Sequence, residues 1–155
     1  MKILKNTKTA QSGFTLVELL IVVIILGILA AVVIPQFNSA AAEARESAVA
    51  SNLATLRQAI ELYKVQHNDT FPGATIVTQL TTTTDVTGAA GTKYGPYIRQ
   101  GFPKNPVSSD ATVATAATMP AAADDSSGWV YATGTGDIKA NSTGAAHSGT
   151  NWFDL

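Results

Sequence analysis

The chain has 155 residues, enough for one modest domain and an anchor, with ten Lys and Arg against eleven Asp and Glu. Three of the basic residues (Lys2, Lys5, Lys8) fall in the first thirteen positions, which hold no acid, so seven basic residues face eleven acidic ones from Phe14 onward. That mildly acidic body argues against electrostatic binding of nucleic acid, and the absence of Cys excludes disulfides, thiolate metal sites and thiol catalysis.

The first element in chain order is "SGFTLVELLIVVIILGILAAVVIPQF", residues 12–37. From Leu19 to Ala42 no residue is formally charged, and at about 1.5 Å per residue a helix of this length crosses a bilayer core. A plain anchor is one reading, with Lys2, Lys5 and Lys8 kept cytoplasmic and the body outside. A secretory signal peptide cut near Ala40 and Ala42 is another, releasing a soluble chain that begins at Glu43. Glu18 fits both poorly, because a lone carboxylate in a membrane helix costs about 2.5–3.5 kcal/mol at its centre.

A third reading rests on "KTAQSGFTLVELLIVVIILGILAAVVIPQF", which resembles the N-terminus of a type IV prepilin or a pseudopilin of type II secretion. The resemblance implies a leader of residues 1–13, cut by a prepilin peptidase at Gly13–Phe14 on the cytoplasmic membrane face, and N-methylation of Phe14. It also implies a role for Glu18: pairing with the new amine of Phe14, its own or that of the next subunit. Phe14 and Glu18 are four apart, the spacing of one helical face, so a helix starting at Phe14 would bring them together. Gly27 and Pro35 interrupt the apolar run. They are tolerated as a kink in a membrane helix, or they mark a segment that melts when subunits pack together, as the resemblance implies.

Residues 38–66 place Val49, Leu53, Leu56, Ile60 and Tyr63 at steps of four and three, the stripe of one helical face. A helix over residues 14–66 is therefore expected, apolar all round in its first half (14–37) and amphipathic in its second (38–66). Glu43 and Glu46 with Arg45 between them read as solvated ion pairs. "HNDTFPG" (67–73) ends the helix. Residues 67–155 then read as a small, loop-rich β part: a variable loop with at most one short strand up to residue 100, a Pro-broken extended segment, and a hairpin in "GWVYATGTGDIKANS". The expected fold is α+β and pilin-like, a long N-terminal helix packed on a small C-terminal antiparallel sheet.

Candidates for chemistry are few. His67 and His147 are read as surface or capping residues rather than a metal pair, and no P-loop, HExxH or nucleophile elbow is present, so no enzymatic activity is expected. Trp129 and Trp152 read as core, with a glycan platform as the alternative; the Thr run 81–84 and the sequons at Asn68 and Asn141 are weak signals for glycans. The resemblance to major pseudopilins suggests calcium in a C-terminal loop, yet "NSTGAAHSGTNW" (141–152) has no carboxylate and only Asp124, Asp125 and Asp137 lie near in sequence. No cofactor is expected.

What the resemblance implies is a homopolymer built through N-terminal helices, served by a prepilin peptidase and an inner-membrane assembly platform. The chain would sit in a bacterial inner membrane with its N-terminus cytoplasmic. After assembly it would form a periplasmic pseudopilus or a cell-surface pilus for adhesion or motility. Lack of Cys and the terminal Asn151-Trp152 favour the major pseudopilin of type II secretion. A membrane-anchored glycan-binding module is the remaining alternative.

Overall fold

The computed structural model describes residues 13–155; the basic leader expected over the first twelve positions lies outside the described residues. Helix α1 spans Leu16–Gln66, 51 residues, and starts two positions later than the sequence pattern predicts. It runs without interruption through Gly27 and Pro35. The chain forms two units, one ending at Asn38 and the other running from Ser39 to Leu155.

In the first unit the large side chains from Phe14 to Phe37 are all exposed, Phe14 and Leu16 at 81 % each. An 18-residue window of α1 has mean hydropathy 3.2 and none of it is buried. Among the described residues this is the one helix long and apolar enough to cross a membrane.

In the second unit the expected stripe of α1 is buried throughout: Val49, Leu53, Leu56, Ile60 and Tyr63, with Ala59 beside them. The helix ends where Asn68 and Asp69 adopt positive φ (54° and 58°), and the Asp69 N–H returns to the Lys64 carbonyl at 3.1 Å. Asn and Asp tolerate this left-handed conformation better than other side chains. A short helix α2 follows at Ile76–Thr81, where a loop was expected. Its β-branched residues disfavour helix, but Ile76 and Leu80, four apart, both reach the core, so burial overrides local propensity.

Three strands make one sheet: β1 (Val113–Ala116), β2 (Trp129–Ala132) and β3 (Ile138–Ala140), in the order β1-β2-β3. The hairpin forms where the sequence places it, with Trp129 opposite Ala140 and Tyr131 opposite Ile138. The sheet is mixed rather than antiparallel throughout, because β1 pairs in parallel with β2, Val113 opposite Trp129. The long connection over 117–128 permits that crossover. Central β2 is buried along its whole length, and Trp129, Tyr131 and Ile138 share one core with Leu53, Leu56 and Ile60 of α1. A 3-10 turn, η1 (Trp152–Asp154), buries Trp152 and Phe153.

Candidate functional site

The segment that carries the processing and assembly residues begins as extended chain. Gly13, Phe14 and Thr15 precede the first helical residue, and a Cβ added at Gly13 would meet nothing within 4 Å. Phe14 therefore does not share a helical face with Glu18. Instead Glu18 turns back on Thr15: its Oε2 accepts from the Thr15 N–H at 2.8 Å and from the Thr15 hydroxyl at 2.8 Å, while the Glu18 N–H donates to the Thr15 Oγ1 at 3.2 Å. Thr15 is the N-cap and Glu18 the third helical residue, which is a capping box. The carboxylate also sits where the helix dipole favours negative charge. Thr15 escapes a reading that looks only for charge partners, although the T-x-x-E spacing of "TLVE" announces it. Among the described residues both donors to the carboxylate fall on Oε2.

Gly27 and Pro35 lie farther along α1, and a Cβ at Gly27 would also meet nothing within 4 Å. Space at Gly27 lets another backbone approach closely.

The histidines do not come together. His67 is buried, not at the surface: Nδ1 donates to the Tyr63 carbonyl at 2.8 Å and Nε2 accepts from the Thr84 hydroxyl at 3.0 Å, with the ring stacked 3.7 Å from that of Tyr63. A carbonyl only accepts, so Nδ1 carries the proton. His147 is exposed in a cleft with Glu43 and Glu46. Glu46 accepts from the Ser148 N–H at 2.9 Å rather than pairing with Arg45, and the Ser148 side chain, then its N–H, hold the Glu46 carboxyl below the ordinary value.

Asp124 and Asp125 tie two loops together. Asp124 Oδ1 accepts from the Ser126 hydroxyl and Asn141 Nδ2, both at 2.7 Å, and Asn141 Oδ1 accepts from the Asp124 N–H at 3.0 Å. Asp125 accepts from the N–H and hydroxyl of Thr143. Asn141, foremost, and Ser126 lower the Asp124 carboxyl; Thr143 lowers that of Asp125. Asp137 accepts instead from the Thr135 hydroxyl in the hairpin turn. Among the described residues no three carboxylates or imidazoles converge, and Asp137 serves a different turn from Asp124 and Asp125. Asn141 is buried and cannot act as a glycan acceptor, and Thr84 of the Thr run is buried on His67.

Trp129 and Trp152 are core residues. Trp129 is fully buried with its indole N–H donated to the Pro103 carbonyl at 2.9 Å, and Trp152 is 9 % exposed. Neither offers a ring face to a sugar. Asn105 went unnoticed in the sequence; it is fully buried and donates to the Gly128 carbonyl and the Ser142 hydroxyl.

Residues 8–34 match the family described as the prokaryotic N-terminal methylation motif. The chain is similar to the type II secretion system core protein G of Aeromonas hydrophila, 39 % identical over 61 residues, or 39 % of this chain and 43 % of the relative. The core protein G of Pseudomonas aeruginosa is 42 % identical over 57 residues, 37 % of this chain and 40 % of its own. The type IV major fimbrial protein FimA of Dichelobacter nodosus is 52 % identical over 54 residues, 35 % of each chain. The aligned part thus spans less than half the length of these relatives. No solved structure matches the chain significantly. The chain carries the prepilin-type N-terminal methylation motif, held in common with secretion core proteins and major fimbrial subunits.

Proposed function

We propose that the chain is a structural subunit of a pilus-like filament, cut between Gly13 and Phe14 by a prepilin peptidase and N-methylated at Phe14. Residues 14–37 serve as membrane anchor and later as filament core, 38–66 as the amphipathic helix and 67–155 as the β part. One observation carries this reading: the apolar half of α1 exposes every large side chain it has, so it needs lipid before assembly and other copies of itself afterwards. The subunit waits in the bacterial inner membrane with its N-terminus cytoplasmic, and an inner-membrane assembly platform draws it into the filament.

Glu18 acts as the register selector. Thr15 steadies its carboxylate through Oε2, and the ammonium of an incoming subunit's Phe14 meets Oε1. A pair of buried charges need not add stability, but an unpaired one is strongly penalised, so one axial stagger wins. Gly27 and Pro35 are the positions where α1 loosens as helices pack.

Within this function the major pseudopilin of a type II secretion system is preferred, on the similarity to the core proteins G and the terminal Asn151-Trp152. The similarity to FimA favours the second reading, a surface type IV pilus. Mass spectrometry of the native N-terminus tests processing: a chain starting at methylated Phe14 is expected, and one starting at Glu43 rejects it. Fractionation separates the two filaments, because a cell-envelope pool with a secretion defect on deletion marks the pseudopilus and sheared surface fibres mark the pilus.

A further inference from the structure

The end of α1, the turn after it and the loop that follows α2 enclose a cavity of about 390 Å³, within the size range of small-ligand sites. Two features set it apart from the packed core beside it. One is an uncommitted hydroxyl. Tyr63 and Tyr131 are both buried, and Tyr131 donates to the Pro72 carbonyl at 3.0 Å. The hydroxyl of Tyr63, a lining residue only 2 % exposed, has no hydrogen-bond partner among the described residues. Buried phenols are ordinarily paired, and an unpaired one costs stability. The other is Gly88, with φ +82°. A Cβ there would lie 2.2 Å from the Tyr63 hydroxyl and 2.8 Å from Gln79 Nε2, so glycine keeps these two polar atoms side by side.

The lining narrows the ligand. Among the described residues no formally charged side chain faces the cavity, and His67 spends both ring nitrogens on Tyr63 and Thr84. An ionic ligand would find no counter-charge there. Gln79 accepts from the Gly73 N–H at 2.8 Å and gives one amide N–H to the Gly88 carbonyl at 3.2 Å, which leaves its second N–H. The Thr87 hydroxyl donates to Asp85 at 2.6 Å and keeps its lone pairs, while the Tyr63 hydroxyl can give or accept. The ligand must therefore donate and accept within a short reach, as neighbouring hydroxyls on one ring do. Half-buried Phe71 and Val86, 38 % exposed, supply an apolar wall. Phe71 is fixed there by Gly136 at one side and by the Lys64 ammonium 4.5 Å from its ring centroid. A peptide strand would need a sheet edge, and no strand residue lines the cavity. We infer that this cavity binds one neutral pyranose unit, its hydroxyls on Tyr63, Gln79 and Thr87 and its C–H groups on Phe71 and Val86. The site belongs to the unit from Ser39 to Leu155 and stands or falls separately from the filament reading.

The test is an NMR titration of the full chain, in a detergent without sugar head groups, with glucose, galactose, mannose and N-acetylglucosamine in turn. At least one is expected to give saturable shifts at the Thr87 and Gly88 amides, with a Kd of about 1–10 mM for a single ring. Tyr63→Phe removes only the uncommitted hydroxyl, so it should weaken binding about tenfold and leave the unfolding midpoint in place. Val86→Glu, at an exposed position, brings a charge to the wall and should abolish binding. The methyl glycoside of the sugar that binds separates two sources of the same chemistry. Binding retained marks a terminal unit of a longer glycan, binding lost marks a free sugar, and both support the site. Absence of a saturable shift with all four sugars overturns the inference, as do shifts that persist unchanged in Tyr63→Phe and Val86→Glu. A marked fall in the Tyr63→Phe midpoint also overturns it, because the hydroxyl is then spent on the fold.

Discussion

Glu18 and Thr15 hold each other across the first turn of α1, with both Thr15 donors on the same carboxylate oxygen at 2.8 Å. The geometry resolves how a lone acid survives in an apolar helix before any partner arrives: its own helix terminus supplies two donors and a favourable dipole. Thr15→Ala is therefore expected to fray the start of α1, raising amide exchange at Glu18 and Leu19, whose N–H groups bond to Thr15, roughly fivefold, the usual worth of a cap. Thr15→Ser, which keeps the hydroxyl, should restore protection. Exchange measured in detergent micelles checks both, and equal protection in Thr15→Ala and wild type would remove the cap from the account.

Glu18→Val tests the other role of the same residue. The variant loses the carboxylate but not the apolar character of α1, so insertion in the membrane should persist and N-terminal processing should continue. Assembly should fall at least tenfold, because no stagger is then preferred. Filament yield after shearing or envelope fractionation measures it, and wild-type yield would show that Glu18 does not select register.

His67 is the buried polar centre under the end of α1, bonded to the Tyr63 carbonyl and the Thr84 hydroxyl and stacked on Tyr63. His67→Ala removes both bonds and the ring at once, leaving a void beside an unpaired hydroxyl. The loss should be about 2–4 kcal/mol in denaturant unfolding of the detergent-solubilised chain. Thr84→Val, which deletes only one bond, should cost about 1 kcal/mol.

The long helix, its buried stripe and the hairpin were legible because each rests on a periodicity that burial enforces: 3.6 for Val49 to Tyr63, and two short β-rich runs around a Gly turn for Trp129 to Ala140. What stayed hidden depended on contacts distant in sequence. Strand β1 reads as an indifferent "VATA" and becomes a strand only because Trp129 to Ala132 lie alongside it. Helix α2 depends on Ile76 and Leu80 finding a core built by other segments. His67 looks like a surface residue beside Asn68 and Asp69, and only the return of the chain at Thr84 buries it. At the candidate site the acid is visible from its cost, whereas its Thr15 partner is a neutral residue marked only by the T-x-x-E spacing.

Gly136 shows how narrowly the hairpin turn is drawn. Its φ is +76°, and a Cβ there would lie 2.2 Å from the Phe71 ring, which packs against the core. Gly136→Ala meets both backbone strain and a steric clash, so a loss of about 2–3 kcal/mol is expected. Gly101→Ala also has positive φ, but its Cβ would meet nothing within 4 Å, so it should lose only the strain, about 1 kcal/mol. The difference between the two variants in unfolding midpoint isolates the contact with Phe71.

Acid should loosen the loops that Asp124 and Asp125 join. Hydrogen bonds from Asn141 and Ser126 lower the first carboxyl, and bonds from Thr143 lower the second. With folded values below the unfolded ones, the unfolded chain binds more protons in this range, so stability rises with pH there. The contribution is complete above the ordinary aspartate value, about pH 4, and is lost as pH falls through the lower folded values. Asp124→Asn together with Asp125→Asn should flatten that acid limb while shifting neutral stability only modestly, since both carboxylates are exposed and screened. Unfolding midpoints between about pH 2.5 and pH 6 check the slope, and an unchanged acid limb in the double variant would assign the titration to other carboxylates, of which Asp85 and Asp110 are similarly lowered, each chiefly by a neighbouring threonine hydroxyl.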